Sequence, residues 1–414
     1  MPVQASSLVA LRHRNFRLLW FGTFISMGGS MMRNAAILWH VSLLAPAGDK
    51  ALALGGVGLV RVIPIVACSL FAGVAADAFD RRKLLLVTNS TLLLVSTALA
   101  AITLTGVHRL GTVYVLAALS AAVGTFDNPG RNAFFPSLVP REHLPNAISL
   151  NSTMFQAASV VGPSVAGLVI ARSSVGWVYV IDAVSFLILL GTLLLMRDLP
   201  QRPSEGRLPV SLGSVWEGVA FVFGRPLIRS SMLLDFFATF FASATALLPL
   251  FAQDVLHVGA HGYGLLASAS AAGALLTSVL MIRLIESIRR RGQALVLAAV
   301  SYGLVTIGFG LSRWFWVSFV FLFLSGAADM VSTVLRNVIR QLSTPDALRG
   351  RMTSVNMIFF MGGPQLGELE AGAVAQAFGP LWSVVSGGIG CVCAVAWIAW
   401  QTPALVRYER DPAE

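Results

Sequence analysis

Arg81–Gly106 reads RRKLLLVTNSTLLLVSTALAAITLTG, three cations followed by a long run with no charged side chain. The hydrocarbon core of a bilayer is crossed by a helix of about 20 apolar residues. The run therefore predicts one crossing, with its cations held at one face. Such runs continue on both sides of it. Of the 414 residues, 56% are apolar and 12% charged, about half the charge of an ordinary soluble chain, and the mean hydropathy is +0.78. A soluble fold of this length needs a charged shell, which this composition lacks.

Gly, Pro and charged residues divide the chain into twelve apolar runs, at 16–44, 51–78, 84–106, 112–138, 146–171, 177–196, 229–253, 262–285, 293–311, 314–339, 352–377 and 381–401. They predict an all-α integral membrane protein with twelve transmembrane helices. Arg12, Arg14 and Arg17 precede the first run in the manner of a signal peptide, but no small-residue cleavage site follows, so the run is read as the first span.

The net charge of +10 would suggest nucleic acid if the cations formed an exposed stripe. They lie between the spans instead. With the N-terminus inside, 20 of the 29 Lys and Arg residues fall on that side and 4 on the other, and Arg33, Arg61, Arg131, Arg283 and Arg336 lie within spans. Excess positive charge marks the cytoplasmic side, so both termini are expected in the cytoplasm and no nucleic-acid partner is expected. Cys68, Cys391 and Cys393 all lie in apolar runs. Cys391 and Cys393 would point to different helix faces, which predicts neither a disulfide framework nor a metal pair.

The longest polar connection, 197–228, falls between the sixth and seventh spans. It predicts a six-helix bundle over 1–196, a cytoplasmic linker over 197–228 with a short amphipathic helix from Leu212 to Phe223 anchored by Trp216, and a second bundle over 229–414. The halves also match each other. Span 4 ends RNAFFPSLVP (Arg131–Pro140) and span 10 ends RNVIRQLSTP (Arg336–Pro345); span 5 then carries Gly162-Pro163 and span 11 carries Gly363-Pro364. Repeated halves are how transporters build a site between two rocking units.

After span 2 the chain reads GVAADAFDRRK. This resembles the signature loop of the major facilitator superfamily, Gly-x-x-x-Asp-Arg-x-Gly-Arg-Arg/Lys. Gly73, Asp77, Arg81 and Arg82 or Lys83 fit it, while Ala78 and Asp80 depart from it. The resemblance implies two pseudo-symmetric six-helix bundles and a gating role for the loop, with Asp77 facing the N-terminus of span 11 beside Arg351. The alternative for the cations is orientation alone. Span 5 resembles the exporter pattern Gly-x-x-x-Gly-Pro-x-x-Gly-Gly, with Ala158 and Ala166 in place of two glycines. It implies either an export bias or close small-residue packing around Gly162 and Pro163. Together with PSLVPREHLPNAISLNS and LRGRMTSVN these motifs resemble a group of bacterial exporters that includes enterobactin and macrolide efflux proteins.

An ionisable group within a bilayer costs several kcal/mol on insertion scales, so each one calls for a role. Asp127, Asp235, Asp329 and Glu368 are candidates to carry a coupling proton, with Glu370 about 200° around the helix from Glu368. Asp127 can equally pair with Arg131 four residues on; one of the two glutamates is expected to meet Arg336 or another partner, and the other, Glu368 being favoured, to face the cavity beside Gln365. Arg33, with Asn34 beside it, suits an anionic substrate or an intramembrane acid. Phe237 and Phe241 share a helix face and, with Gln365, are candidates for substrate contact. Trp39 and His40 are expected at the outer interface, and Arg131, Arg336, Gly162 and Pro163 are candidates for structural roles.

There is no Gly-x-x-x-x-Gly-Lys-Ser/Thr loop, His-Glu-x-x-His helix or Gly-x-Ser-x-Gly elbow, which disfavours ATP-driven pumping and enzyme chemistry. The resulting expectation is a secondary-active, proton-coupled exporter of a bulky amphipathic small molecule such as a drug, macrolide or siderophore. It would act as a monomer in the bacterial inner membrane, without cofactor or metal, driven by the proton gradient. The alternatives are a lysolipid or lipid flippase of the same fold and a transport-inactive membrane sensor.

Overall fold

The computed structural model describes residues 8–107, 109–197, 220–242, 244–345 and 348–409, except the side chains of 70–78, 133, 244, 349–351, 354 and 358. Among these residues every regular element is helical, as lipid demands of a chain that must satisfy each backbone polar group within its own segment. Twelve long helices occur in chain order: α1 (Arg14–Leu44), α2 (Lys50–Ala78), α3 (Arg81–Leu104), α4 (Leu110–Phe134), α5 (Leu144–Arg172), α6 (Val175–Leu195), α7 (Pro226–Phe241), α8 (Gly259–Leu284), α9 (Arg291–Leu311), α10 (Phe315–Leu342), α11 (Arg349–Phe378) and α12 (Pro380–Gln401). Each coincides with one apolar run. Ten stretches among the described residues are long and apolar enough to cross a membrane. The runs of α1 and α11 fall outside that set: α1 carries Ser26, Gly28, Gly29, Ser30, Arg33 and Asn34, and α11 carries Arg349, Arg351, Glu368 and Glu370.

The seventh span differs from its expected form. Instead of one helix over 229–253, α7 ends at Phe241 and the chain passes through a 3-10 turn (Ala244–Leu247), a short helical turn (Leu248–Leu250) and a π-turn (Phe251–Val255). Pro249 keeps the later turn from continuing back as α-helix, since it has no N–H to donate and its ring collides with the Thr245 carbonyl four residues back. Pro64, Pro129, Pro163 and Pro364 lie inside α2, α4, α5 and α11 without ending them.

The chain divides into two compact units, residues 1–40 with 63–209 and residues 41–62 with 210–414. In the first, α3 packs on α4 and α6 over a core built from Phe16, Leu19, Leu85, Phe135, Met154 and Leu189. In the second, α8 packs on α10, α9 on α12 and α7 on α11. Backbone contact between α8 and α10 depends on reciprocal glycines: a Cβ on Gly273 would run into the carbonyl of Phe323, and one on Gly326 into that of Ser270. Small residues permit such approach where lipid supplies no hydrophobic force between helices. The linker helix expected from Leu212 lies outside the described residues except for a helical turn at 220–223.

Candidate functional site: buried charge networks in each unit

Three groups of charged side chains are wholly or largely buried, and each is built by helices meeting at polar positions of apolar runs. In the first unit, Arg33 of α1 is buried and donates to Asp182 Oδ2 of α6 at 2.7 Å and to Ser96 Oγ of α3 at 3.1 Å. Ser96 donates to the same Asp182 oxygen at 2.6 Å, and the guanidinium lies over the Phe186 ring. Of the two roles open to Arg33, the structure shows the fixed ion pair. Its partner, Asp182, was missed by sequence reasoning, although it is the one acid in the run 177–196 and is fully buried. Asn34 is half-buried one residue on.

The second group joins α3 and α4. Asp127 Oδ1 accepts from Thr88 and Asn89, each at 2.8 Å, and Oδ2 pairs with Arg131. Arg131 also donates to Asn89 Oδ1 at 3.1 Å. Both carboxylate oxygens are thus engaged inside the unit, which is the pairing expected from the four-residue spacing.

The third group lies in the second unit. Arg336 of α10 is 2.9 Å from Asp235 of α7 and 3.5 Å from Asp329 on its own helix, and it donates to Ser332 and Thr333. Arg340 lies 3.8 Å from Asp235, donates to Asn337 at 2.8 Å and bonds Asn356. One correction follows. Arg340, outside the expected span 314–339, is not in a loop, because α10 runs on to Leu342 and buries it. Asp235 is enclosed by both arginines at 2% exposure. Asp329 differs from Asp235 in being reachable, with its side chain 41% exposed.

Arg131 and Arg336 occupy matching places in the repeat but are neutralised differently. Four residues before Arg131 stands Asp127; four before Arg336 stands Ser332, so the acid has to come from α7 and from Asp329 further along α10. The two Gly-Pro motifs keep the same role: a Cβ on Gly162 would meet Met31 and the Gly28 carbonyl of α1, and one on Gly363 would meet Thr239 and Phe236 of α7. Each thus seats the fifth helix of its half on the first, with Pro163 and Pro364 inside the helices.

Neither glutamate of α11 meets Arg336. Glu368 is buried against Gly58 of α2, within electrostatic reach of Arg61 and near Tyr263, while Glu370 is half-buried. Gln365 meets Gly58 through its backbone carbonyl. Phe237 and Phe241 do share a face, stacked at 6.1 Å. That face is turned into the bundle, where Phe241 packs against Gly387 and Gly390 of α12, so it is a packing surface in this conformation. Trp39 and His40 are buried rather than interfacial, with His40 3.2 Å from the Tyr179 hydroxyl.

At the loop after α2, the side chains of Gly73, Asp77 and Arg351 lie outside the described residues. Arg82 bonds the carbonyls of Leu193 and Leu194, satisfying acceptors left open at the end of α6. Arg81 lies beside it, half-buried. Asp80, the departure from the signature loop, caps α3 by accepting from the Lys83 N–H at 2.9 Å. Cys391 is buried and Cys393 exposed, both as free thiols.

Twelve helices in matching halves, with intramembrane charges paired within each, are set against known proteins by one full-length match. Residues 5–411 fit the family model of major facilitator proteins described as transmembrane secretion effectors. The chain belongs to that family. Transmembrane secretion effectors similar to it include the enterobactin exporter EntS of Escherichia coli O1:K1, 25% identical over 97% of this chain and 95% of the relative, and EntS of Shigella boydii serotype 18, also 25% identical over the same shares. Among solved structures, a bacterial homolog of the human lysosomal transporter Spinster in an inward-facing, unoccupied conformation superposes with a TM-score of 0.76 at 14% identity, over 97% of this chain and 99% of that one. A POT family transporter in complex with a thioalcohol-conjugated peptide gives 0.74 at 12% identity, over 95% and 96%. This member of the family is accordingly a multi-pass membrane protein and a secondary transporter of a small molecule, not an enzyme.

Proposed function

We propose that the chain is a proton-coupled exporter, an antiporter working by alternating access between its two six-helix halves (1–196 and 229–414, joined by 197–228). It resides in the bacterial cytoplasmic membrane with both termini inside and works as a monomer. The observation that carries the coupling is the sharing of Arg336 by two unequal carboxylates. Asp235 is enclosed by two arginines, whereas Asp329 is held more loosely at 3.5 Å and is 41% exposed. When a proton neutralises Asp329, Asp235 keeps Arg336 paired, so the site loads and unloads without leaving a buried cation alone. Asp127, with both oxygens engaged, is a poorer carrier, and Glu368 beside Arg61 is a second candidate.

The similarity to enterobactin exporters over nearly the whole chain supports export of a bulky amphipathic molecule of siderophore type. Everted vesicles from an efflux-deficient host, energised to acidify their lumen, test both points with enterobactin, erythromycin and ethidium. At least one should accumulate, and collapsing the pH gradient should release it. Asp329→Asn should abolish gradient-driven accumulation while leaving substrate counterflow. Gradient-driven accumulation that survives Asp329→Asn sinks the coupling role of Asp329.

A further inference from the structure

The break after α7 leaves a cavity inside the second unit, lined by Ala242, Thr245, Ser270, Tyr302, Thr306, Phe309, Leu322 and Ser325. It offers about 40 Å³ to the centres of water molecules, room for about three waters at roughly 10–15 Å³ each. Five of the eight lining residues carry a hydroxyl, in the interior of a helix bundle where apolar packing is the rule.

Three of the five hydroxyl protons are already committed. Thr306 donates to the Tyr302 carbonyl at 2.8 Å, Ser325 to the Leu322 carbonyl at 2.7 Å, and Tyr302 to the Ala242 carbonyl at 3.3 Å. That last carbonyl belongs to the residue that ends α7, beyond which the break leaves no continuous helix to donate to it. Thr306 and Ser325 thus turn oxygen lone pairs toward the cavity, which is the lining that holds water and stabilises an excess proton on it. Thr245 at one side is exposed, whereas Thr306 and Ser325 are buried, giving the cavity a mouth and a deep end. Ser325 is four residues before Asp329 on α10, one turn and about 6 Å along the same face. Tyr302 is within electrostatic reach of the Asp329 carboxylate.

We propose that this cavity is the route by which protons arriving at Thr245 reach Asp329, passing Thr306, Tyr302 and Ser325, while the carboxylate's own exposure serves the other side of the alternating-access cycle. The inference rests on the reading of Asp329 as the coupling residue. A hydrated proton in the cavity passes one proton to the Asp329 carboxylate, leaving neutral water and a neutral carboxylic acid. The charged and titratable groups within electrostatic reach of Asp329 are Arg336 on its own helix, Asp235 on α7, Tyr302 on α9 and Cys391 on α12, with Arg340 beside Asp235. The route approaches from the end of the unit away from the cations Arg289, Arg290 and Arg291, the side from which an antiporter's protons enter.

Time-resolved infrared spectroscopy tests the route on the full chain in oriented proteoliposomes, with the pH jump confined to the face away from Arg289, Arg290 and Arg291 and no transported molecule needed. The wild type should show a carboxylic-acid band that Asp329→Asn removes. Thr306→Val and Ser325→Ala, which take away single oxygens with little change of shape, should slow the rise of that band at least tenfold. Its pH midpoint and the melting temperature should stay as in the wild type. Ser270→Leu, which fills the cavity, should slow it further. If the band is present and assigned to Asp329 but rises at the wild-type rate in all three variants, the cavity holds structural water only and the route is wrong. If Asp329→Asn leaves the band spectrum unchanged, the coupling role of Asp329 falls, and the route falls with it.

Discussion

Arg33 and Asp182 stand 149 residues apart in the chain and 2.7 Å apart in the structure. Neither has solvent to fall back on, so the stability of the first unit depends on the pair remaining whole. Removing one member of a buried ion pair strands the other, at a cost of about 3–5 kcal/mol. Asp182→Ala and Arg33→Ala should each lower the melting temperature in detergent sharply, while the double change Arg33→Met with Asp182→Leu should recover most of the loss. A double variant no better than the singles would show that the pair does not act as a unit.

Asp127 is bound by three donors, so its replacement tests packing against coupling. Asp127→Asn keeps the shape but loses the charge opposite Arg131, and the expected result is a loss of about 2–4 kcal/mol in stability. Gradient-driven transport per folded molecule should remain. Quantifying folded protein by fluorescence-detected chromatography alongside vesicle transport separates the two, and a stable, uncoupled variant would reverse this assignment.

Arg336 and Asp235 should respond asymmetrically. Asp235→Asn withdraws one of two acids from Arg336 and leaves Arg340 without its carboxylate, so folding should suffer. Asp329→Asn should fold as the wild type, because Asp235 still neutralises Arg336. Comparing the two melting curves checks this, and equal destabilisation would count against the division of labour between them.

Gly326→Val should fail to pack. Its Cβ position coincides with the Ser270 carbonyl, and overpacking costs about 1–3 kcal/mol or more where backbone rather than a side chain must move. The expected readout is loss of the monodisperse peak, against a modest effect for Gly191→Ala, whose Cβ meets nothing within 4 Å.

Apart from the seventh span, helix positions were legible to within a few residues, because each crossing is a local property: a run of apolar side chains long enough to span hydrocarbon, ended by Gly, Pro or charge. The Asp127–Arg131 pair was legible for the same reason, since four residues along a helix is one face. Pro249 was a visible signal of the break after α7, yet the apolar run continues through it and hides the interruption. Asp182 was also visible as a lone acid. Its importance was not, because nothing local to α6 says that Arg33 of α1 and Ser96 of α3 arrive beside it.

The sequence by itself determined that this chain lives in a membrane as twelve helices in two related halves, and it brought its few intramembrane charges to notice. Which acid meets which base, which of two carboxylates on Arg336 stays exposed, and that a broken helix leaves a hydroxyl-lined cavity beside it were decided only by tertiary structure. The physical reason is range. Hydropathy and helical spacing act over a few residues, whereas an ion pair or a cavity is set by how separate helices cross.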